Sequence, residues 1–186
     1  MRVYISSWFG SRLERHGERR DLIEAGIECT SRWLDELPCA GPLEGREFFL
    51  QHTADIDVSD AIKADVVVMF TTDHNINENA HTGGRHFELG LAYGLMMAAQ
   101  ALDLMSANAF LKPVVPITVG PKENVFHRLS SIRNFPTWPE ALAWLKEYSN
   151  EVDQMNAAIE MGLRSGALTK GEDAVAEKFH ISKTVN

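Results

Sequence analysis

The chain is short of cysteine and of positive charge, and it has neither a glycine-rich dinucleotide fingerprint nor a long apolar run. Cys29 and Cys39 are its only cysteines among 186 residues. Two cysteines do not make a disulfide framework and fit a reducing compartment, so a cytoplasmic location is expected. Lys and Arg number 18 against 26 Asp and Glu, a net charge of -8. Such a chain repels a phosphate backbone, which argues against a general nucleic-acid binder. A small anion stays admissible, because a local basic pocket or a helix N-terminus can hold one. Without Gly-x-Gly-x-x-Gly a dinucleotide cofactor is unsupported, and no cofactor is expected. The most apolar stretch, residues 87–105, is interrupted by Glu88, Gln100 and Asp103. It reads as a buried helix and not as a membrane span. The opening MRVYISSWFG has no apolar run of signal-peptide length.

What is present is an ordinary globular composition, 45% apolar and 24% charged, enough for one domain with a full core. Residues 2–6 and 27–31 read as strands, and the charged stretch up to Ala25 as a helix closed by Gly26. Residues 35–48, with Pro38 and Pro42, read as a loop. Residues 57–64 read as a short helix. Val66-Val67-Val68-Met69-Phe70 is a continuous apolar run, as in a strand buried on both faces of a parallel sheet. A polar loop, residues 71–84, leads to a long helix beginning near Arg85 or His86. Residues 113–119 form another buried strand, and residues 124–129 a helical turn. Residues 135–140 open a last helix, with Thr137 as N-cap and Pro139 at a tolerated early position. Strands alternating with helices predict an α/β fold, a Rossmann-like or flavodoxin-like parallel sheet flanked by helices. The expected division is an α/β domain over 1–150 and a C-terminal helical extension over 151–186. The segment 173–186 faintly resembles a helix-turn-helix core, but the charge is wrong for DNA, and a packing helix or loose tail fits better.

Ligands of open α/β sheets bind beyond the carboxyl ends of the strands. Three polar loops should gather there: residues 6–12, 71–84 and 120–127. Glu88 is placed in the first turn of the long helix, where the dipole favours a carboxylate. Gly83 and Gly84 allow close backbone approach, and Leu89, Leu91 and Ala92 set the helix in the core. A carboxylate so placed serves either as a plain helix-end charge or as a nucleophile toward an anomeric carbon. Trp8 and Trp33 follow strand ends and can stack on a base or pack in the core. His74, His81 and His86 have no standard metal spacing, so no metal is expected. Met96, Met97 and Met105 read as core or subunit interface.

The ordered set Val3-Tyr4-Ile5-Ser6-Ser7, Asp57-x7-Asp65-Val-Val-Val, Gly-Gly-Arg-His-Phe-Glu-Leu-Gly-Leu-Ala from Gly83, and Gly120-Pro121-Lys122-Glu123-Asn124-Val125-Phe126-His127 resembles the nucleoside 2-deoxyribosyltransferase family, which includes the 2'-deoxynucleoside 5'-monophosphate N-hydrolases. The likeness covers residues 1–148. It implies cleavage of an N-glycosidic bond through a sugar ester of Glu88, with Asp57 near the leaving base and Tyr4 orienting the nucleophile. From residues alone Asp57 is equally a helix cap and Tyr4 a core residue. Substrate contacts are further expected from Ser7, Trp8 and Gly84, and the resemblance implies a contribution from Asn124 across a subunit boundary, hence a homo-oligomer acting on a small deoxynucleoside or deoxynucleotide. Thr82 stands where the transferases carry an aspartate for the sugar 5'-hydroxyl. A threonine donates to a 5'-phosphate where a carboxylate repels it. Arg12, Arg85 and His127 can add charge-assisted bonds to a phosphate. Three readings stay open: transfer to another base, hydrolysis of the 5'-monophosphate, and non-catalytic nucleotide sensing.

Overall fold

The computed structural model describes residues 1–36, 47–71, 83–105, 109–110, 112–122, 125–165 and 169–170. Five strands form one sheet: β1 (Arg2–Ser6), β2 (Glu28–Cys29), β3 (Val66–Phe70), β5 (Val115–Val119) and β6 (Arg133–Phe135). Every pairing is parallel, in the order β2-β1-β3-β5-β6. This is the doubly wound order in which chain direction across the sheet reverses between β1 and β3. A separate two-residue pair joins β4 (Ala109–Phe110) to β7 (Thr169–Lys170). Four helices accompany the strands: α1 (Arg12–Glu24), α2 (Glu47–Lys63), α3 (Gly83–Met105) and α4 (Trp138–Ser165). The α/β expectation holds.

The apolar run of β3 is buried along its full length, because both neighbours in the sheet and helices on both faces cover it. Ile117 of β5, Val3 and Ile5 of β1, and Leu145 of α4 join it in one core. Gly26 takes a positive φ of 73°, a conformation cheap only for glycine, and this turns the chain from α1 into β2. Asp65 pins the start of the sheet. Its Oδ2 accepts the Arg2 amide at 2.5 Å, and Lys112 pairs with the same carboxylate. The aspartate that opens the Asp-Val-Val-Val motif therefore has a structural task.

Several boundaries differ from those read in the sequence. The helix expected over 57–64 starts at Glu47, ten residues earlier, so Asp57 is interior to α2 and is not a cap. Strand β2 has two residues where five were expected. Phe135, expected to open the last helix, instead ends the edge strand β6, and α4 begins at Trp138. Helix α4 then runs unbroken past residue 150. The segment 173–186 lies outside the described residues. No helix among the described residues is long and apolar enough to cross a membrane.

Ile117 is fully buried in the central strand β5. Ile117→Ala should lower unfolding free energy by about 2–5 kcal/mol, the range for deleting a buried branched side chain, as read from chemical denaturation.

Candidate active site

Strand β1 alternates its side chains, so Tyr4 and Ser6 share one face and Val3 and Ile5 the other. On the Tyr4 face stands Glu88 of α3. The Tyr4 hydroxyl donates to Glu88 Oε1 at 2.7 Å, and the Ser6 hydroxyl donates to Oε2 at 2.5 Å. Each carboxylate oxygen thus has its own hydroxyl. Ser6 also lies 3.4 Å from the Arg85 carbonyl, which ties the end of β1 to the first turns of α3. Glu88 is the sixth residue of the helix and not in its first turn. Helix dipole stabilisation fades beyond the first turn, so the two hydroxyls carry the task of holding its charge.

A cavity of about 180 Å³ opens onto this carboxylate, lined by Ser7, Trp8, Phe9, Trp33, Glu36, Thr53, Asp57, Gly84, Arg85 and Glu88. It sits at the carboxyl end of β1, at the β1/β3 switch point. Thr53 and Asp57 are four residues apart on α2 and meet the cavity from one helix face. Trp8 lies against Gly10, where a Cβ would overlap the indole. Trp33 is buried, its Nε1 donating to the Ile5 carbonyl at 2.7 Å. Arg85 is also buried, and its Nη1 donates to the Phe70 carbonyl at 3.1 Å.

The two carboxyl groups have different surroundings. Burial raises the Glu88 pKa, and the Ser6 and Tyr4 hydrogen bonds oppose that rise. Asp57 is pushed up to about 7, first by burial and then by the Glu88 charge. Its Oδ1 is buried and has no hydrogen-bond partner among the described residues. Burial and the nearby carboxylates raise the Tyr4 pKa strongly, so its phenol stays a donor. The two hydroxyls favour the charged form of Glu88 against its burial, while Asp57 can carry a proton near neutrality. A nucleophile and an acid require that division.

Of the sequence-predicted residues, Glu88, Asp57, Ser7, Trp8 and Gly84 meet in the cavity, and Tyr4 reaches it through Glu88. Arg12 is not in the lining and stacks over Phe9 at 5.2 Å. His127 is fully buried and stacks on His86, with ring centroids 5.7 Å apart. His86 borders a second, larger cavity of about 720 Å³, walled mainly by Leu89, Tyr93, Phe126, Leu129 and Ile132. Among its described lining residues that space is apolar and has no carboxylate. Thr82 and Asn124 lie outside the described residues, as do His74 and His81. Among the described residues no three metal-ligating side chains converge. Ser6, Glu36 and Thr53 were missed in the sequence. Strand alternation from Tyr4 and helical spacing from Asp57 were available signals for Ser6 and Thr53.

Fold and site together define an α/β domain with a carboxylate pair at the switch point of its parallel sheet. No family model matches the sequence, and no curated protein does. The structure is similar to the CMP N-glycosidase BcmB of Clostridium botulinum, with 15% identity and a TM-score of 0.43 over 80% of this chain and 100% of the other. It is also similar to a 2-deoxyribosyltransferase from Bacillus psychrosaccharolyticus, with 19% identity and a TM-score of 0.47 over 76% of this chain and 90% of the other.

The raised Asp57 pKa has a thermodynamic consequence. The folded state holds this proton more tightly than the unfolded state, so stability falls as pH rises from the ordinary aspartate value of about 4 to about 7. Asp57→Asn removes that loss. It should raise Tm more at pH 8 than at pH 4 in a calorimetric pH series. An equal Tm change at both values contradicts the assignment.

Proposed function

We propose that the protein cleaves the N-glycosidic bond of a 2'-deoxynucleoside or its 5'-monophosphate, with Glu88 as nucleophile. One observation carries the reading: Glu88 is held by Tyr4 and Ser6 at a cavity it shares with Asp57. Two carboxyl groups, one hydrogen-bonded by two hydroxyls and one able to carry a proton near neutrality, suit displacement at an anomeric carbon. A Glu88 oxygen bonds to C1', the C1'–N bond breaks, and its electron pair leaves with the base. Asp57 delivers a proton to the departing base. A water or a second base then attacks C1', the ester C–O bond breaks, and Glu88 returns as a carboxylate. The base stacks against Trp8 and Trp33, and Ser7 and Gly84 face the sugar.

Phosphate recognition falls to Thr82, Arg12 and Arg85 in this proposal. Arg85 is the one of these in the cavity wall, which makes it the first to test. The enzyme acts without a cofactor, in the cytoplasm, and as a homo-oligomer in which Asn124 completes a neighbour's site. Exposed Phe87, Val125 and Phe126 offer apolar surface for such a contact.

Chromatographic assay of free base from deoxynucleosides and their 5'-monophosphates tests the activity. Glu88→Ala should lose at least about 10³-fold in kcat, the scale for removing a nucleophile. Wild-type protein without cleavage, or Glu88→Ala with full cleavage, contradicts the proposal and leaves nucleotide sensing. Adding a second free base separates transfer, which yields a new nucleoside, from hydrolysis, which yields free sugar or sugar phosphate.

The pH profile has a definite sign on each side. Asp57 must be protonated, so kcat/KM should fall above about 7, and Asp57→Asn should abolish that limb. Glu88 must be ionised, and Ser6→Ala or Tyr4→Phe removes a hydrogen bond to the charged form. Each should lower kcat about 10- to 100-fold and move the acid limb to higher pH.

A further inference from the structure

Glu36 is a third carboxyl group in the cavity wall, and the displacement chemistry above does not use it. It follows the short helix Arg32–Asp35, and its amide donates to the Trp33 carbonyl at 3.1 Å. That segment is fixed to α2. Arg32 forms a bidentate pair with the buried Asp60, Nη2 to Oδ1 at 2.7 Å and Nε to Oδ2 at 2.9 Å. Asp60 is three residues from Asp57 on the same helix, so the Arg32–Asp60 clamp sets the register of Glu36 against Asp57. The two carboxyl groups are close enough for the charge on Glu36 to raise the Asp57 pKa.

Three aromatic rings, Trp8, Phe9 and Trp33, line the same cavity, and Phe9 and Trp33 stand 6.3 Å apart at 43°. Flat apolar walls with carboxyl groups at the edge suit a planar heterocycle with hydrogen-bond donors on its rim. Asp57 stands in the same wall as Glu36, so two carboxyl groups border the space between the rings. Thr53, also in the wall, can donate or accept and does not discriminate.

We infer that Glu36 and Asp57 together read the edge of the nucleobase and select a base with an exocyclic amino group beside a ring nitrogen, the edge presented by cytosine and adenine. This rests on the glycosidase reading for the identity of the ligand. In its ionised form Glu36 accepts from the amino group; burial raises its pKa and nearby Arg12 opposes that rise. A protonated Asp57 donates to the ring nitrogen, the same direction of proton movement that loosens the glycosidic bond. Uracil and hypoxanthine reverse both polarities. Each turns a carbonyl oxygen toward the carboxylate and an N–H toward the protonated carboxyl. A site built for one polarity rejects the other strongly, because its own buried groups are left unpaired.

The test compares matched pairs at pH 6.5: cytosine against uracil and adenine against hypoxanthine as free bases by calorimetry, and dCMP against dUMP by kcat/KM. Wild-type protein should prefer the amino member by at least about 10-fold in both readouts. Glu36→Gln, whose amide donates as well as accepts, should shrink the preference to about 2-fold or less, with circular dichroism confirming the fold. Equal wild-type affinity within each pair overturns the inference even if cleavage is efficient, and so does a preference unchanged in Glu36→Gln. A 10-fold binding preference without any cleavage upholds the base reading and overturns the glycosidase reading instead.

Discussion

The site depends on one arrangement: two hydroxyls, two residues apart on a buried parallel strand, each bonded to one oxygen of the same carboxylate. Tyr4 and Ser6 keep their spacing because β1 is paired on both sides, with β2 and with β3. Glu88 keeps its position because Arg85, three residues earlier in α3, anchors the helix to the Phe70 carbonyl at the end of β3. A carboxylate taken out of water is costly unless hydrogen bonds replace the lost hydration. Here the sheet supplies two. Core packing and site chemistry therefore meet in one strand.

The carboxyl groups around the cavity are sorted by what surrounds them. Glu88 receives two hydroxyl donors, which favour its charge. The Asp57 pKa is raised first by burial and then by the Glu88 charge, so Asp57 holds a proton more readily. Asp60 and Asp65 are more deeply buried than either, yet they are bound by Arg32 and by Lys112 with the Arg2 amide. These two brace the architecture. The distinction lies in the partners: an acidic residue with a cation or amide in reach builds structure, and one left facing an open cavity is available for chemistry.

Much of the fold was legible because burial leaves a mark on composition. The β3 run, the buried strand ending at Val119 and the long helix carrying Glu88 are all apolar enough to stand out. Short edge elements left no such mark. Strand β2 has two residues and β6 has three, and Arg133, Asn134 and Phe135 have no alternation to read. The start of α2 was missed because Pro38, Pro42 and the nearby glycines made the whole stretch look like loop, although Glu47 onward has no helix breaker. At the site, Glu88, Asp57 and Tyr4 were found through the family resemblance and not through periodicity. Ser6 was passed over, although strand alternation from Tyr4 points to it. His127 looked available beside polar loop residues, but stacking on His86 buries it. That contact is tertiary, and local sequence does not record it.

The central claim is that Glu88 forms a covalent ester with the sugar. Acid quenching during turnover of a deoxynucleotide, followed by peptide mass spectrometry, tests it most directly. The account predicts a mass increase equal to one deoxyribosyl unit, with its phosphate if the substrate carries one, on the peptide containing Glu88 and absent from Glu88→Ala. Steady cleavage with no adduct on that peptide, or an adduct on a different residue, would contradict it.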